Sequence, residues 1–308
     1  MSDHGKQLLK TKNRGKPRKM KLKILFHFTM KKVVFYANCQ GHGIRQILNC
    51  HPDMSKDYDL ENAVVLGNYT YMNTGSDLPY EILSEADLFI YQPISSDRGK
   101  YSTHELLSKL KPTCKTESFV YLYNYAFWET LVFADGDYDV GTLGMKYATL
   151  NHEPITTLRD AGLSWEDVKQ RIQTGTMDWK FKERYQKTQA ILREKEASCS
   201  IQVADFIDLH HKDKLLFHSQ NHPTIFLLEY VAKKILAHLG YDPEKLPPIE
   251  QLPHPDYNSG RGKNPHYLFG PAAWDYYGFT FIERPGSYTL NAILEQSKRI
   301  YDGDYVNR

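Results

Sequence analysis

A chain of 308 residues is long enough to bury a substantial core, and 41% hydrophobic with 25% charged residues is the balance of an ordinary globular protein, which excludes a wholly disordered chain. The net charge of +2 hides an asymmetry: residues 1–32 carry 11 lysines and arginines against one acidic residue, Asp3, which leaves 28 basic and 36 acidic residues in the rest. The head, 1–32, is therefore expected to be a basic, disordered tail able to contact an anionic partner, and 33–308 a single, mildly acidic domain.

The run Ile24-Leu25-Phe26 is too short for a membrane span or a signal-peptide core. Cys39, Cys50, Cys114 and Cys199 form no CxxC pair, which argues against a disulfide framework or a zinc ribbon and for a reducing, cytoplasmic setting. No His/Cys/Asp cluster has metal-ligand spacing.

From Val33 the chain alternates short apolar runs with helical periodicity. Val33 to Ala37 reads as a buried strand, and Ile44, Ile47 and Leu48 fall at helical spacing after Gly41-His42-Gly43. Ala63 to Gly67 predicts a second strand, Leu78 to Ala86 a helix, and Asp87 to Tyr91 a third strand ending at Gln92-Pro93. Thr103 to Leu110 then predicts a helix and Phe119 to Tyr123 a fourth strand. This alternation predicts an α/β fold, a mainly parallel sheet with helices on both faces.

Residues 151–200 read as a helical insertion, with Ser164-x-x-Asp167 as a capping pattern. Leu215 to His218 is expected to return to the sheet. Pro223 then opens a helix whose apolar face is Ile225, Leu228, Ala232, Ile235, Leu236 and Leu239, with Gly240 as its stop. The C-terminal region is irregular over 241–286, and 290–301 predicts a last helix.

Candidate chemistry gathers where strands end. Asn38-Cys39-Gln40 closes the first strand and opens a helix; ligands of open α/β sheets bind beyond the carboxyl ends of strands. A thiol at a helix N-terminus meets free N–H groups and the dipole, which predicts a lowered pKa, and Gly41 and Gly43 would let backbone approach a ligand. His222 is expected at a helix cap, where the dipole favours the neutral imidazole of a base. Gln92 sits at another strand end, and Asn38, Gln40 and Gln92 can each donate to an oxyanion. Arg45 or Arg98 can hold a phosphate. Asp208-x-x-His211 is a further carboxylate–histidine pair, on an expected helix.

The strand before Asn38-Cys39-Gln40, the strand end Tyr91-Gln92-Pro93-Ile94 and the later Asn221-His222-Pro223-Thr224 together resemble the WcbI family of polysaccharide-biosynthesis proteins, over about Val33 to Gly240. Ala37 stands where that pattern leads one to expect Gly. The resemblance implies a protein that takes coenzyme A or acetyl-CoA and O-acetylates a sugar or glycan acceptor in surface-polysaccharide synthesis. For such a reaction the strand-end candidates take their roles: Asn38, Cys39, Gln40 and His222 are expected to be catalytic, and Gly41, His42, Arg45, Gln92, Arg98 and Asn221 to contact CoA. There is a looser likeness to SGNH-type esterases, but Ser219 stands where their aspartate would, so a standard triad is not supported. An esterase using water as acceptor, and a non-catalytic module binding glycan or nucleotide, remain as alternatives, as do a covalent and a merely positioning role for Cys39.

Overall fold

The computed structural model describes residues 30–129, 131–132, 149–150, 153–253, 271–281 and 283. The first 29 residues and the expected helix over 290–301 lie outside them. Strand β1 (Lys31–Ala37) runs into helix α1 (Cys39–Asn49), then α2 (Met54–Asp57) and β2 (Tyr58–Gly67). Helices α3 (Asn68–Thr74) and α4 (Tyr80–Glu85) lead to β3 (Leu88–Tyr91), a 3-10 turn (Ser96–Tyr101), α5 (Thr103–Leu107) and β4 (Lys115–Ser118).

These four strands form a parallel sheet in the order β2-β1-β3-β4. The period of two in β1 sorts its side chains: Val33, Phe35 and Ala37 enter one buried cluster and Val34 and Tyr36 the other, so both faces are covered. Lys31 and Lys32, expected in the tail, are already paired with β2 at Tyr58 and Asp59, because backbone pairing continues past the last apolar residue.

The fourth strand lies four residues earlier than the apolar run suggests. Short β3 fixes the register, pairing Leu88 with Lys115 and Tyr91 with Ser118, so pairing stops where the run 119–123 begins. That run continues as extended chain beyond the sheet, and Phe119 makes a single parallel bridge to Ile201. The polar strand tolerates burial because its groups are satisfied: Glu117 meets His238 Nδ1 at 3.1 Å, and the Ser118 N–H donates to Ser200 Oγ at 2.7 Å.

Beyond a two-stranded pair, β5 (Leu131–Val132) with β6 (Thr149–Leu150), the expected insertion is present as α6 (Glu153–Asp160), α7 (Trp165–Gln173) and α8 (Phe181–Glu196). Ser164 and Asp167 form a complete capping box on α7. Helix α9 (Ala204–His210) follows. The run expected to rejoin the sheet instead makes a separate antiparallel hairpin, β7 (Phe217–Ser219) with β8 (His222–Pro223). Pro223 is thus in β8, and Thr224 is the N-cap of α10 (Ile225–Leu239), its N–H donating to Leu216 O at 2.9 Å. Gly240, at φ +87°, ends α10 as expected. Within the region expected to be irregular, α11 (Pro271–Tyr277) forms and buries Ala273 and Tyr277.

Helix α10 packs on α1, and α1 lies against β1. A Cβ on Gly41 would stand 2.8 Å from Ala37 Cβ. Gly41 therefore serves helix–strand packing. The colliding atom is fixed to the β1 backbone and cannot swing away. Gly41→Ala is expected to destabilise the protein by about 1–3 kcal/mol despite alanine's better helix propensity, as read from urea unfolding.

Candidate active site

The sheet order makes β1 and β3 neighbours across the point where the chain reverses its direction of winding. Crevices open at such points, beyond the carboxyl ends of the two strands. Here those ends are Asn38-Cys39 and Gln92. Asn38 caps α1, its Oδ1 accepting from the Gln40 N–H at 3.0 Å, and its own N–H donates to Gln92 Oε1 at 2.9 Å. Gln92 Nε2 donates to Gln40 Oε1 at 2.8 Å.

Gln40 also reaches the two segments that follow β4 and β7. Its Nε2 donates to Leu122 O at 2.8 Å and to Asn221 O at 2.9 Å, and its Oε1 accepts from the Leu122 N–H at 3.1 Å. The side chain is 0% exposed with both hydrogens and both lone pairs used, so Gln40 is not available as an oxyanion donor. By contrast, Asn38 spends only its Oδ1 on the cap, and its Nδ2 has no partner among the described residues.

A cleft of about 870 Å³ opens beside this knot. Asn68, Tyr69, Gln92, Arg98, Tyr121 and Lys195 are among the residues that line it. Cys39 is exposed at the N-terminus of α1, whereas Cys50 and Cys114 are half-buried and Cys199 is buried. Tyr121 lies near enough to Cys39 to interact electrostatically, is hydrogen-bonded to the Asn221 side chain, and meets Tyr69 edge-on at 6.0 Å.

The structure thus brings Asn38, Cys39, Gln40, Gln92, Asn221 and His222 to one sheet edge, with Arg98 in the cleft wall. Arg45 is turned elsewhere: its Nη1 donates to Leu60 O at 3.2 Å and Glu61 O at 2.6 Å, tying α1 to β2, and it does not line the cleft. His42 is exposed on α1 and also lies outside the lining, as do Asn38, Cys39, Gln40, Asn221 and His222, which adjoin the cleft through Gln92 and Tyr121. The Asp208–His211 pair belongs to packing between α8 and α9: Asp208 accepts from Tyr185 and Gln189, and His211 Nδ1 lies 3.1 Å from Ile207 O. Sequence reasoning missed Asn68, Tyr69, Tyr121 and Lys195. Asn68 follows the strand end at Gly67 as Asn38 follows Ala37, so the strand-end rule points to it; nothing local marks Lys195.

Residues 32–244 match the family described as polysaccharide biosynthesis enzyme WcbI. The chain belongs to the WcbI family of polysaccharide biosynthesis enzymes. A solved structure of WcbI, described as a novel polysaccharide biosynthesis enzyme in its native form without a disulfide bond between coenzyme A and a cysteine, is similar with a TM-score of 0.65 and 20% identity. The similarity covers 88% of this chain and 91% of that one, and at this identity it concerns the fold. No curated protein matches this chain.

In this WcbI-family chain the site's electrostatics are governed by desolvation. The Cys39 thiol is raised, not lowered as expected: loss of water outweighs the N–H groups of Cys39 and Gln40 that favour the thiolate. The residue keeps exposed surface, yet desolvation still governs its proton. Desolvation lowers His222 to about 4, and it is placed in β8 rather than at a helix cap, so burial and not the dipole keeps it neutral. His42 is also lowered, by desolvation and then by the charge of Arg45. Among the described residues no cluster of His, Cys, Asp and Glu can hold a metal, and no helix is long and apolar enough to cross a membrane.

The depressed His222 has a consequence for stability. Between about pH 4 and the ordinary value near 6.5 the unfolded chain binds the proton and the folded one does not, so stability falls as pH drops through this window. The protein is expected to lose up to roughly 3 kcal/mol from this group between pH 7 and pH 4. His222→Gln should flatten that part of a plot of Tm against pH; an unchanged slope would contradict the assignment.

Proposed function

We propose that this chain transfers the acetyl group of acetyl-CoA to a hydroxyl of a sugar or glycan in polysaccharide biosynthesis. The observation that carries the reading is Cys39, an exposed residue at the N-terminus of α1, on the sheet edge that adjoins a cleft lined by two cations, Arg98 and Lys195. A volume of about 870 Å³ lies within the range of sites for large cofactors. Arg98 and Lys195 suit phosphates, and Asn68, Asn73 and the tyrosines suit the amide and ring portions of CoA. Cys39, the exposed cysteine, neighbours Tyr121 of the cleft lining, and the related WcbI structure is described as a native form without a disulfide bond between CoA and a cysteine.

The protonation states favour direct transfer over an acetyl-cysteine intermediate. A thiol whose pKa is raised and an imidazole whose pKa is depressed do not form a thiolate–imidazolium pair. His222, neutral above about pH 4, takes the proton of the sugar hydroxyl. The sugar oxygen then bonds to the acetyl carbon, the C–S bond breaks, and the CoA sulfur leaves with the electron pair. Negative charge developing on the acetyl oxygen and the sulfur strengthens His222 as a base in the transition state, and Asn38, whose Nδ2 is not spent on the cap, is the oxyanion donor in this reading. Cys39 positions the thioester. The reaction belongs in the cytoplasm, the reducing setting that four free cysteines fit.

Calorimetry with CoA, acetyl-CoA, ATP and NAD tests the reading. Selective binding of CoA species, weakened roughly tenfold by Arg98→Ala or Lys195→Ala, is the expected result; no CoA binding would sink it. In a transfer assay His222→Ala should lower kcat by roughly 100-fold or more. Cys39→Ala should slow transfer without abolishing it, whereas trapped acetyl-Cys39 would establish the two-step route. Equal turnover with no sugar present would make the protein a hydrolase.

A further inference from the structure

The amides of Gln40 and Gln92 connect the segments that carry the reacting groups. Gln40 is 0% and Gln92 2% exposed. Gln92 Oε1 accepts from the Asn38 N–H at 2.9 Å and from Asn68 Nδ2 at 3.4 Å, while its Nε2 donates to Gln40 Oε1 at 2.8 Å. Gln40 Nε2 then donates to Leu122 O and to Asn221 O, at 2.8 and 2.9 Å.

This chain of bonds has one polarity. If the Gln40 amide were flipped, its oxygen would face the carbonyls of Leu122 and Asn221, and its NH2 group would face the Leu122 N–H and Gln92 Nε2. Gln40 therefore cannot turn over, and it fixes Gln92 in turn. The bonds run from the backbone of Asn38, adjoining Cys39, to the backbone of Asn221, adjoining His222. A residue whose hydrogen-bonding capacity is fully used inside the protein acts on substrate only through what it holds.

We infer that Gln40 and Gln92 form a two-amide strut that sets the position of Cys39 relative to His222 for acetyl transfer; as a statement about catalysis this rests on the function proposed above. Gln40 has no hydrogen left for an oxyanion, and Gln92, which lines the cleft, enters this argument through the bonds that it makes to Gln40 and Asn38. Both are positioning residues, and misplacement by about 1 Å at such a site can cost 100-fold in rate.

The polarity supplies a test that general destabilisation would not mimic. In Gln92→Glu the ionised carboxylate presents an oxygen to Gln40 Oε1, which repels it. The neutral acid restores the native pattern, its O–H donating to Gln40 and its C=O accepting from Asn38. The titratable and charged groups facing this position are Tyr69, Tyr91, Arg98, Tyr121 and Lys195 around the cleft, with Cys39 and His222 across the strut, and no Asp or Glu is among the described lining residues. Relative to the unchanged protein at the same pH, Gln92→Glu is expected to lose at least tenfold in kcat at pH 8. It should recover most of that loss at pH 5.5.

Gln40→Met, which adds no charge, should release the Asn221-His222 segment to water. Its His222 ring, followed by NMR titration without ligand, should move up by at least one unit from about 4. A Gln92→Glu defect equal at both pH values, or a Gln40→Met protein whose kcat and His222 titration are unchanged, would overturn the inference. If circular dichroism shows Gln40→Met unfolded, the Gln92→Glu series decides. If the unchanged protein transfers no acetyl group, the function proposed above fails, and the His222 titration then decides the strut by itself.

Discussion

One buried amide, that of Gln40, holds together the carboxyl edge of this sheet. It joins the start of α1, the end of β3 through Gln92, the extended chain after β4 and the turn before β8. A buried polar group costs little when every hydrogen and lone pair is used and a great deal when one is not, so the four segments are locked to one another in a single arrangement. Loops at a sheet edge otherwise have few apolar contacts to define them. Here the hydrogen bonds do that work, and the cleft beside them inherits a fixed wall.

The rest of the architecture delivers groups to that wall. The absent side chain at Gly41 lets α1 begin against β1 without an intervening loop, which is why Asn38 can cap the helix while still pairing with Gln92. Helix α10 covers α1 and steadies the hairpin that presents His222. The helical insertion, remote in sequence, supplies Lys195, whose ammonium stands 5.5 Å from the Tyr123 ring.

The same close packing explains why the site is electrically quiet. A thiol at a helix N-terminus is usually an acid, and a histidine near a cleft usually titrates near neutrality. Both are displaced in the directions that keep them uncharged, because water has been removed from around them. At Cys39 desolvation exceeds the pull of the helix N-terminus, whose Gln40 N–H is shared with the capping Asn38 side chain. A site built this way suits a reaction in which charge appears only in transit.

Much of this was legible in the sequence, for local reasons. Apolar runs closed by polar residues had to mark strand ends, so Asn38-Cys39-Gln40, Gln92 and Asn221-His222 were found without coordinates; periodicity likewise gave α10, and Ser164 with Asp167 gave the start of α7. Only the tertiary structure decided what those residues touch. The register of short β3 moved β4 to Lys115–Ser118, an antiparallel partner drew Phe217–Ser219 out of the sheet, carbonyls of β2 took Arg45 away from the cleft, and four distant atoms turned Gln40 from a donor for substrate into a strut. The physical reason is that periodicity reports how one segment is buried, whereas the partner of a hydrogen bond is set by segments far away in the chain.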